Sequence, residues 1–255
     1  MTRVFVHGNP ETSAIWGPLF AELRSRGFDD LVALSPPGFG APVPPGFGAT
    51  RAEYAAWLAH ELASIGGPID LVGHDWGAGH VYGALAGHDV TVRSWAADCA
   101  GLLHPDYVWH DAAQAWQTPE LGEAAVHMMV EVEEQTFVSM FEPLGMGADV
   151  ARQVKREITP DTGRCILSLY RDAAQPRMAE LGAALAARRP ANGLVIIAEN
   201  DRYAGPDSHH TEMAVALGAK VARLPGVGHW WMCEDPVAGA DMLVAHWADR
   251  SLPTE

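Results

Sequence analysis

Short apolar segments alternate with amphipathic segments along most of the chain. Runs rich in aliphatic and β-branched residues predict six short strands, at 4–6, 31–34, 69–72, 92–97, 194–197 and 219–224. Apolar positions at helical spacing predict helices over about 13–26, after the capping box Thr50-x-x-Glu53, and over 78–86, 206–217 and 236–247. Parallel strands need crossover connections that cover the sheet. The alternation therefore predicts an α/β fold with a mostly parallel sheet flanked by helices.

Residues 102–189 interrupt this alternation with several helical patterns and no strand between them. Prolines and glycines break the segment at Pro105, Pro119, Pro160 and the stretch 143–147. We therefore expect a helical insertion at 102–189 in a single α/β core that consists of residues 1–101 and 190–255.

The composition indicates a globular protein and limits the classes of partner that it can bind. The 255 residues are 48% hydrophobic and 19% charged, far from the composition of disordered chains. The formal net charge of −15 repels the phosphates of nucleic acid and of anionic lipid surfaces, so we expect neither nucleic acid nor a membrane as a partner. The three cysteines stand far apart, and there is no apolar run of signal-peptide or membrane-spanning length. These features predict a cytoplasmic location.

The clearest chemical signal is the turn Gly73-His74-Asp75-Trp76-Gly77, between the predicted third strand and the helix that follows. A strand that turns directly into a helix strains the backbone of the central residue and brings its flanks against neighbouring elements. The positions two residues to either side must then be small. Such a turn holds the side chain of Asp75 out at the carboxyl edge of the sheet, where open α/β sheets bind ligands.

This turn resembles the nucleophile elbow of the α/β-hydrolase fold superfamily, with Asp75 where the esterase and lipase branch has serine. Three further features extend the resemblance over nearly the whole chain: His7-Gly8-Asn9-Pro10 after the first strand, Asp201 after a late strand, and His229 near the C-terminus. The resemblance implies an Asp-nucleophile member in which His229 is the base and Asp201 the acid that orients it. Asp98, after the fourth strand, is the alternative acid. The resemblance also implies that the helical insertion is a cap over the active site.

An aspartate nucleophile favours reactions at a saturated carbon. A carboxylate is already ionised at neutral pH, so Asp75 can displace a leaving group and become an alkyl ester. His229 can then deprotonate a water that attacks the ester carbonyl. By resemblance, the backbone N–H groups of Asn9 and Trp76 hold the oxyanion that forms.

Two hypotheses about the reaction differ in the group that leaves the carbon atom. A halide needs no proton but does need desolvated N–H donors, which the Asn9 amide and the Trp76 indole supply. This pair is similar to the halide-binding pair of the haloalkane dehalogenases, and dehalogenation is the first hypothesis. The alternative is an epoxide hydrolase giving a diol.

An epoxide oxygen leaves as an alkoxide and needs an acid, which epoxide hydrolases take from two cap tyrosines. Tyr170 resembles the second of these. The first is absent from 110–117, and Tyr107 could replace it only if its loop folds inward.

Other functions of this fold fit the sequence less well. The branch that defluorinates haloacids has an arginine after the nucleophile, where this chain has Trp76. An ester hydrolase would form a reactive anhydride on Asp75, and a ligand-binding homologue without catalysis would not need the triad. The cap also holds apolar residues that could line a pocket for a small neutral substrate, with substrate-binding roles predicted for Trp109 and Trp116 beside Phe137, Met140, Phe141 and Leu144.

No cofactor is expected. His74, Asp75 and His80 lie close together in sequence, but no second cluster of metal-ligand spacing accompanies them, so we predict no metal site. No glycine loop completes the dinucleotide-binding pattern. Because the chain begins almost on the His-Gly strand, we expect the N-terminal strands of the usual fold to be missing and residues 4–6 to lie near a sheet edge. A monomer and a homodimer that covers this edge both remain open.

Overall fold

Six parallel strands form one sheet in the computed structural model, which describes residues 1–248. The strands are β1 (Thr2–Val6), β2 (Leu31–Leu34), β3 (Ile69–Gly73), β4 (Ser94–Ala97), β5 (Gly193–Ala198) and β6 (Lys220–Leu224). Their order across the sheet is β2-β1-β3-β4-β5-β6, and every neighbouring pair is parallel. This arrangement confirms the predicted α/β-hydrolase type of fold.

The burial of the strands explains why their sequences read as continuous apolar runs. Every residue of β3 and β5 is buried, because helices cover both faces of the sheet at these strands. The residues of β2, which forms one edge, are only partly buried. β1 is second from that edge, in line with the expectation from the sequence.

Twelve α-helices connect and cover the strands within residues 1–248. They are α1 (Gly17–Ser25), α2 (Arg51–Ile65), α3 (Trp76–Gly87), α4 (Asp111–Gln117), α5 (Leu121–Glu131), α6 (Glu134–Phe141), α7 (Ala148–Glu157), α8 (Pro160–Asp172), α9 (Arg177–Arg188), α10 (Asp207–Leu217), α11 (Trp231–Glu234) and α12 (Pro236–Ala248).

Local sequence signals explain where the first two helices begin. The backbone N–H of Glu53 donates to Thr50 Oγ1, and the Glu53 carboxylate accepts the N–H of Thr50, so the predicted capping box is present. The helix predicted over 13–26 is instead a 3₁₀ turn, Ser13–Trp16, followed by α1. Pro18 has no N–H to donate to the carbonyl of Ala14, so one continuous α-helix cannot span both parts.

The two faces of the sheet carry separate hydrophobic cores. Residues of α2, α3, α9 and α10, such as Leu58, Val81 and Met213, pack on one face. Residues of α1, α11 and α12, such as Leu19 and Leu243, pack on the other. None of the helices in the described chain is long and apolar enough to cross a membrane.

The segment predicted as an insertion contains helices and, over 102–189, no strand. Within it α4, α5 and α8 pack together, and α6 packs on α7. α9 packs instead on α3 and α10, which belong to the layer over the sheet. The helices of this segment therefore form two packed groups, α4 with α5 and α8, and α6 with α7, while α9 belongs to the layer over the sheet.

Candidate active site

Asp75 occupies a strained turn between β3 and α3. Its backbone has φ 50° and ψ −122°, which an L-residue adopts only when its surroundings enforce it. A Cβ at Gly77 would lie 2.0 Å from the carbonyl oxygen of Val6, and one at Gly73 would lie 2.7 Å from the Cα of Ala78. The structure thus has the tight turn that the sequence predicts, and for the predicted reason.

The loop after β1 brings a backbone donor onto the Asp75 carboxylate. The N–H of Asn9 donates to Asp75 Oδ2 at 2.8 Å. A Cβ at Gly8 would lie 2.2 Å from the same oxygen and 2.5 Å from the backbone nitrogen of Trp76. Only glycine therefore permits this approach. The carboxylate lies beside the two backbone nitrogens that the resemblance assigns to an oxyanion hole.

His229 and Asp201 meet at the same edge from the loops after β6 and β5. His229 Nδ1 lies 2.8 Å from Asp201 Oδ2, and His229 Nε2 lies 4.0 Å from Asp75 Oδ1. The second oxygen of Asp201 accepts the backbone N–H of Tyr203 at 2.8 Å. Because Asp201 accepts, Nδ1 carries a proton and Nε2 is the nitrogen on the side of Asp75. This is the geometry of a base oriented by an acid.

Burial and charge shift the pKa of each member of this group. Burial raises the pKa of Asp75 to about 6, with the positive charge of His229 acting in the opposite direction. Burial also opposes charge on His229, but the Asp201 carboxylate outweighs it, and the pKa of His229 rises to about 9. Burial disfavours the ionised form of Asp201, yet His229 lowers the pKa of Asp201.

Asp98, the alternative acid, contacts other groups. Its Oδ1 accepts the backbone N–H of Asp75 at 2.9 Å, and its Oδ2 lies 2.5 Å from His74 Nδ1. The same Oδ2 accepts the indole N–H of Trp231 at 2.8 Å. The carboxylate in hydrogen-bond contact with His229 is that of Asp201.

Tyr170 reaches the site from α8 and lies beside the two side-chain donors assigned to a halide. The Asn9 amide Nδ2 donates to the Tyr170 hydroxyl at 3.4 Å, and the Trp76 ring packs edge-on against the Tyr170 ring with centroids 5.2 Å apart. Burial and the charge of Asp75 raise the pKa of Tyr170 well above its usual range, while these two donors act to lower it. The phenol therefore keeps its proton at neutral pH.

An apolar cavity of about 570 Å³ opens above Asp75. Its polar groups are Asn9, Asp75, His110, Tyr170, Tyr203 and His229, and no Lys or Arg of the described chain lines it. Five of the six apolar cap residues picked from the sequence contribute to its walls: Trp116, Phe137, Met140, Phe141 and Leu144. The sixth, Trp109, does not line the cavity. It is buried behind it, stacked on Trp76 with ring centroids 6.0 Å apart.

His110 and Tyr203 line the cavity but had no role in the sequence prediction. His110 Nδ1 accepts the N–H of Ala113 as the cap of α4, so its proton sits on Nε2. Burial lowers the pKa of His110 to about 4, which keeps it neutral. The only sequence feature that could have pointed to His110 is its position directly before α4.

Tyr107 is not available as an acid, because its hydroxyl donates to the carbonyl of Tyr203 at 2.6 Å.

Within residues 1–248, two groups of side chains have the spacing that a metal ion requires. The potential ligand atoms of Glu11, His74 and His229 lie within 4.8 Å of one another, and so do those of Cys99, Asp201 and His229. Both ring nitrogens of His74 are already in contact with carboxylates. A cation there would have to displace one of these hydrogen bonds.

The sequence predicts Asp75 as the nucleophile, and its raised pKa then predicts that attack weakens in mild acid. A pKa of about 6 means that Asp75 takes up its proton as the pH falls through that value, and only an ionised carboxylate is a nucleophile. We expect kcat/KM to fall about tenfold for each pH unit below this point. Initial rates at substrate concentrations far below KM test this. A midpoint near the ordinary value for Asp, about 4, would contradict it.

Residues 4–242 match the Alpha/beta hydrolase family, and the chain belongs to this family of hydrolases. The match covers most of the chain and includes the turn at Asp75 as well as the loops that carry Asp201 and His229. None of the curated proteins matches the chain.

Several solved structures share the fold at low sequence identity. A loop variant of the haloalkane dehalogenase DbeA from Bradyrhizobium elkanii is 21% identical, with a TM-score of 0.69 over 98% of this chain and 91% of that one. A candidate epoxide hydrolase from Pseudomonas aeruginosa is 18% identical, with a TM-score of 0.76 over 97% and 88%. E-2-(acetamidomethylene)succinate hydrolase is 20% identical, with a TM-score of 0.72 over 96% and 91%. At these identities the similarity establishes the fold.

Proposed function

We propose that this protein is an epoxide hydrolase that opens a neutral, apolar epoxide through an ester on Asp75. The observation that carries this proposal is the Tyr170 hydroxyl, which receives a hydrogen bond from the Asn9 amide beside the Asp75 carboxylate. A hydroxyl that accepts this N–H keeps its own O–H free to donate. Epoxide opening needs such a proton donor, whereas halide departure does not.

In the first step, an oxygen of Asp75 attacks one epoxide carbon and the bond from that carbon to the ring oxygen breaks. Tyr170 gives its proton to the departing oxygen, which becomes a hydroxyl on the Asp75 ester. The phenolate left on Tyr170 is stabilised by the Asn9 and Trp76 donors. His110, a neutral donor that lines the same cavity, can hold the epoxide oxygen from a second side.

In the second step, His229 takes a proton from water and the resulting hydroxide attacks the ester carbonyl. The oxyanion is held by the backbone N–H groups of Asn9 and Trp76. Collapse of this intermediate breaks the ester bond, and the departing diol oxygen takes the proton from His229. The carboxylic acid left on Asp75 loses its proton to solvent and Tyr170 regains one from solvent, so the starting protonation states are restored. Esterification removes the charge of Asp75, one of the groups that raise the pKa of His229, so His229 more readily releases its extra proton to solvent and is neutral, as proton abstraction from water requires.

The lining of the cavity supports a neutral, apolar substrate. Among the described residues, the ionisable groups that line it are Asp75, His110, Tyr170, Tyr203 and His229, and the rest of the lining is mostly Met, Phe, Ala and Trp side chains. Met128 and Met140 line it and are still more than half exposed, so the apolar lining continues to the surface. An anionic substrate would meet no cationic side chain along these walls apart from His229.

Haloalkane dehalogenation is the second candidate, and the Asn9 and Trp76 donors favour it. Both side chains supply N–H groups next to Asp75 in a buried setting, as a departing halide requires. In this case the halide would have to displace or share the Tyr170 hydroxyl that these donors now contact.

The test is to trap the ester in a His229→Gln variant and weigh the protein. His229 serves only the second step, so the ester should accumulate when the variant is incubated separately with terminal epoxides and with bromoalkanes. A hydroxyalkyl adduct from epoxides supports the proposal. A bare alkyl adduct from bromoalkanes alone supports the second candidate instead, and no adduct from either class overturns both.

The control is the double variant His229→Gln and Asp75→Asn, which should carry no adduct. An adduct that persists in it would come from another side chain and would remove Asp75 as the nucleophile.

A further inference from the structure

A buried charged cluster lies directly behind the nucleophile. It consists of Glu11, His74 and Asp98, all buried. His74 Nε2 lies 3.0 Å from Glu11 Oε1, and His74 Nδ1 lies 2.5 Å from Asp98 Oδ2. Ionised carboxylates only accept hydrogen bonds, so both ring nitrogens must carry a proton. His74 is therefore an imidazolium between two carboxylates.

The charges of the three groups stabilise one another. Burial opposes the charged form of His74, but Asp98 and Glu11 together raise its pKa well above the ordinary value. Burial also opposes ionisation of Asp98, yet His74 lowers the pKa of Asp98 to about 2. The pKa of Glu11 is lowered too, where burial is again outweighed by the charge of His74. Such a buried group persists only when its remaining acceptors are satisfied.

Glu11 uses its remaining acceptor positions on the two loops that flank Asp75. Its Oε2 accepts the backbone N–H of Gly8 at 2.9 Å, one residue before the Asn9 donor. Its Oε1 accepts the indole N–H of Trp230 at 2.6 Å, one residue after His229. One carboxylate thus joins the loop that carries an oxyanion donor to the loop that carries the base.

Asp98 likewise connects the turn that carries Asp75 to the segment that follows His229. It accepts the backbone N–H of Asp75 itself and the indole N–H of Trp231. His74 bridges Glu11 and Asp98. One network of charged hydrogen bonds therefore connects the loops that carry Asn9, Asp75 and His229. His74 also lies against the base, with its ring centroid 4.6 Å from that of His229.

We propose that Glu11, His74 and Asp98 act as a charged clamp, in which Glu11 is a positioning residue that keeps the Asn9 N–H on the Asp75 carbonyl during ester hydrolysis. The kinetic part of this inference rests on the proposed ester on Asp75. The second step depends on the clamp more than the first, because the oxyanion develops on the Asp75 carbonyl only in the second step. The 2.8 Å contact from Asn9 N–H to Asp75 Oδ2 is the distance that the clamp maintains.

The kinetic test is Glu11→Gln. The amide keeps the size of Glu11 but removes its charge and cannot accept from Gly8, His74 and Trp230 together. We expect ester hydrolysis to slow about 10- to 100-fold, as for a misplaced catalytic group, with much less effect on ester formation. The ester then accumulates during turnover and is seen by intact mass, while kcat and KM fall in the same proportion. A fall in kcat with unchanged KM and no ester would overturn the proposal, since mere loss of folded protein gives that result.

The matched control is Asp70→Asn. Asp70 is also a buried carboxylate in a charged group, paired with Arg93 and Ser94 on the sheet away from Asp75. Its substitution should lower stability without any accumulation of ester. Accumulation in both variants would show that buried charge in general, rather than the clamp, affects the second step.

A second measurement tests the protonation of His74 in the wild-type protein and needs no substrate. Nitrogen NMR of the histidine rings in the wild-type protein should show His74 protonated on both nitrogens at neutral and mildly alkaline pH. Loss of either proton in this range would overturn the clamp, whatever the substrate proves to be. Failure to trap any ester in His229→Gln would instead overturn the proposed function. The NMR result alone would then decide whether His74 is the charged centre of the clamp.

Discussion

Replacement of Tyr170 by Phe is expected to slow ester formation from an epoxide by about 10²- to 10⁴-fold, the usual contribution of a positioned proton donor. The variant removes only the hydroxyl, and the ring can keep its packing against Trp76, Trp109 and Trp116. The same change should leave ester formation from a bromoalkane unchanged or faster, because Asn9 and Trp76 would then be free to bind the halide.

Both rates can be measured by mass spectrometry as the build-up of ester in the His229→Gln background. Tyr54→Phe is a suitable control, since its buried hydroxyl donates to the carbonyl of Pro37 and does not line the cavity. Equal slowing with epoxides and bromoalkanes would mean that Tyr170 only shapes the pocket. Slowing with neither would remove the observation on which the proposed function is based.

Asp201→Asn should reduce ester hydrolysis by about 10⁴-fold, the loss expected when a catalytic histidine is held in the wrong tautomer. Asp201 now accepts from His229 Nδ1 and thereby keeps Nε2 available as the base. An amide at this position can donate to Nδ1 and force the proton onto Nε2. Ester formation needs no base, so it should continue, and the ester should accumulate on Asp75.

Asp98→Asn and Asp207→Asn complete this comparison. Asp207 is on α10 and its side chain is about half exposed, so its substitution should change neither step. Asp98→Asn should lower stability, because it leaves the charge of His74 with one carboxylate fewer, and as part of the proposed clamp it should slow ester hydrolysis no more than Glu11→Gln does. If Asp98→Asn slowed ester hydrolysis by about 10⁴-fold and Asp201→Asn did not, the assignment of the orienting acid would be reversed.

Local patterns allowed much of the site to be predicted, because its geometry is dictated by short stretches of chain. The glycines around Asp75 are needed where a strand turns directly into a helix, and they leave a clear pattern in the sequence. The inner strands β3 and β5 were visible as apolar runs because helices cover both faces of the sheet there. The pairing of Asp201 with His229 was expected only through resemblance, since the contact joins two loops.

Contacts between segments that are distant in sequence could not be predicted from local patterns. The hydroxyl of Tyr170 meets the Asn9 amide across 161 positions of sequence, and nothing local indicates that this hydroxyl takes the place assigned to a halide. Trp109 and Trp116 looked equivalent in sequence, but packing places one behind Trp76 and the other in the cavity wall. Glu11 gave no signal, because a single acid in a loop is usually exposed.

The sheet and the inserted helices contribute different parts of the chemistry. Asn9, Asp75, Asp201 and His229 stand at the ends of four strands, and in the proposed function they carry out the hydrolysis of the ester. Tyr170 and His110, which the proposal places on the leaving group, belong to 102–189. The choice of bond to be broken can therefore change by exchange of a few helical residues, while the release of product stays intact. Transplanting helices between relatives is thus a direct route to new substrates on this scaffold.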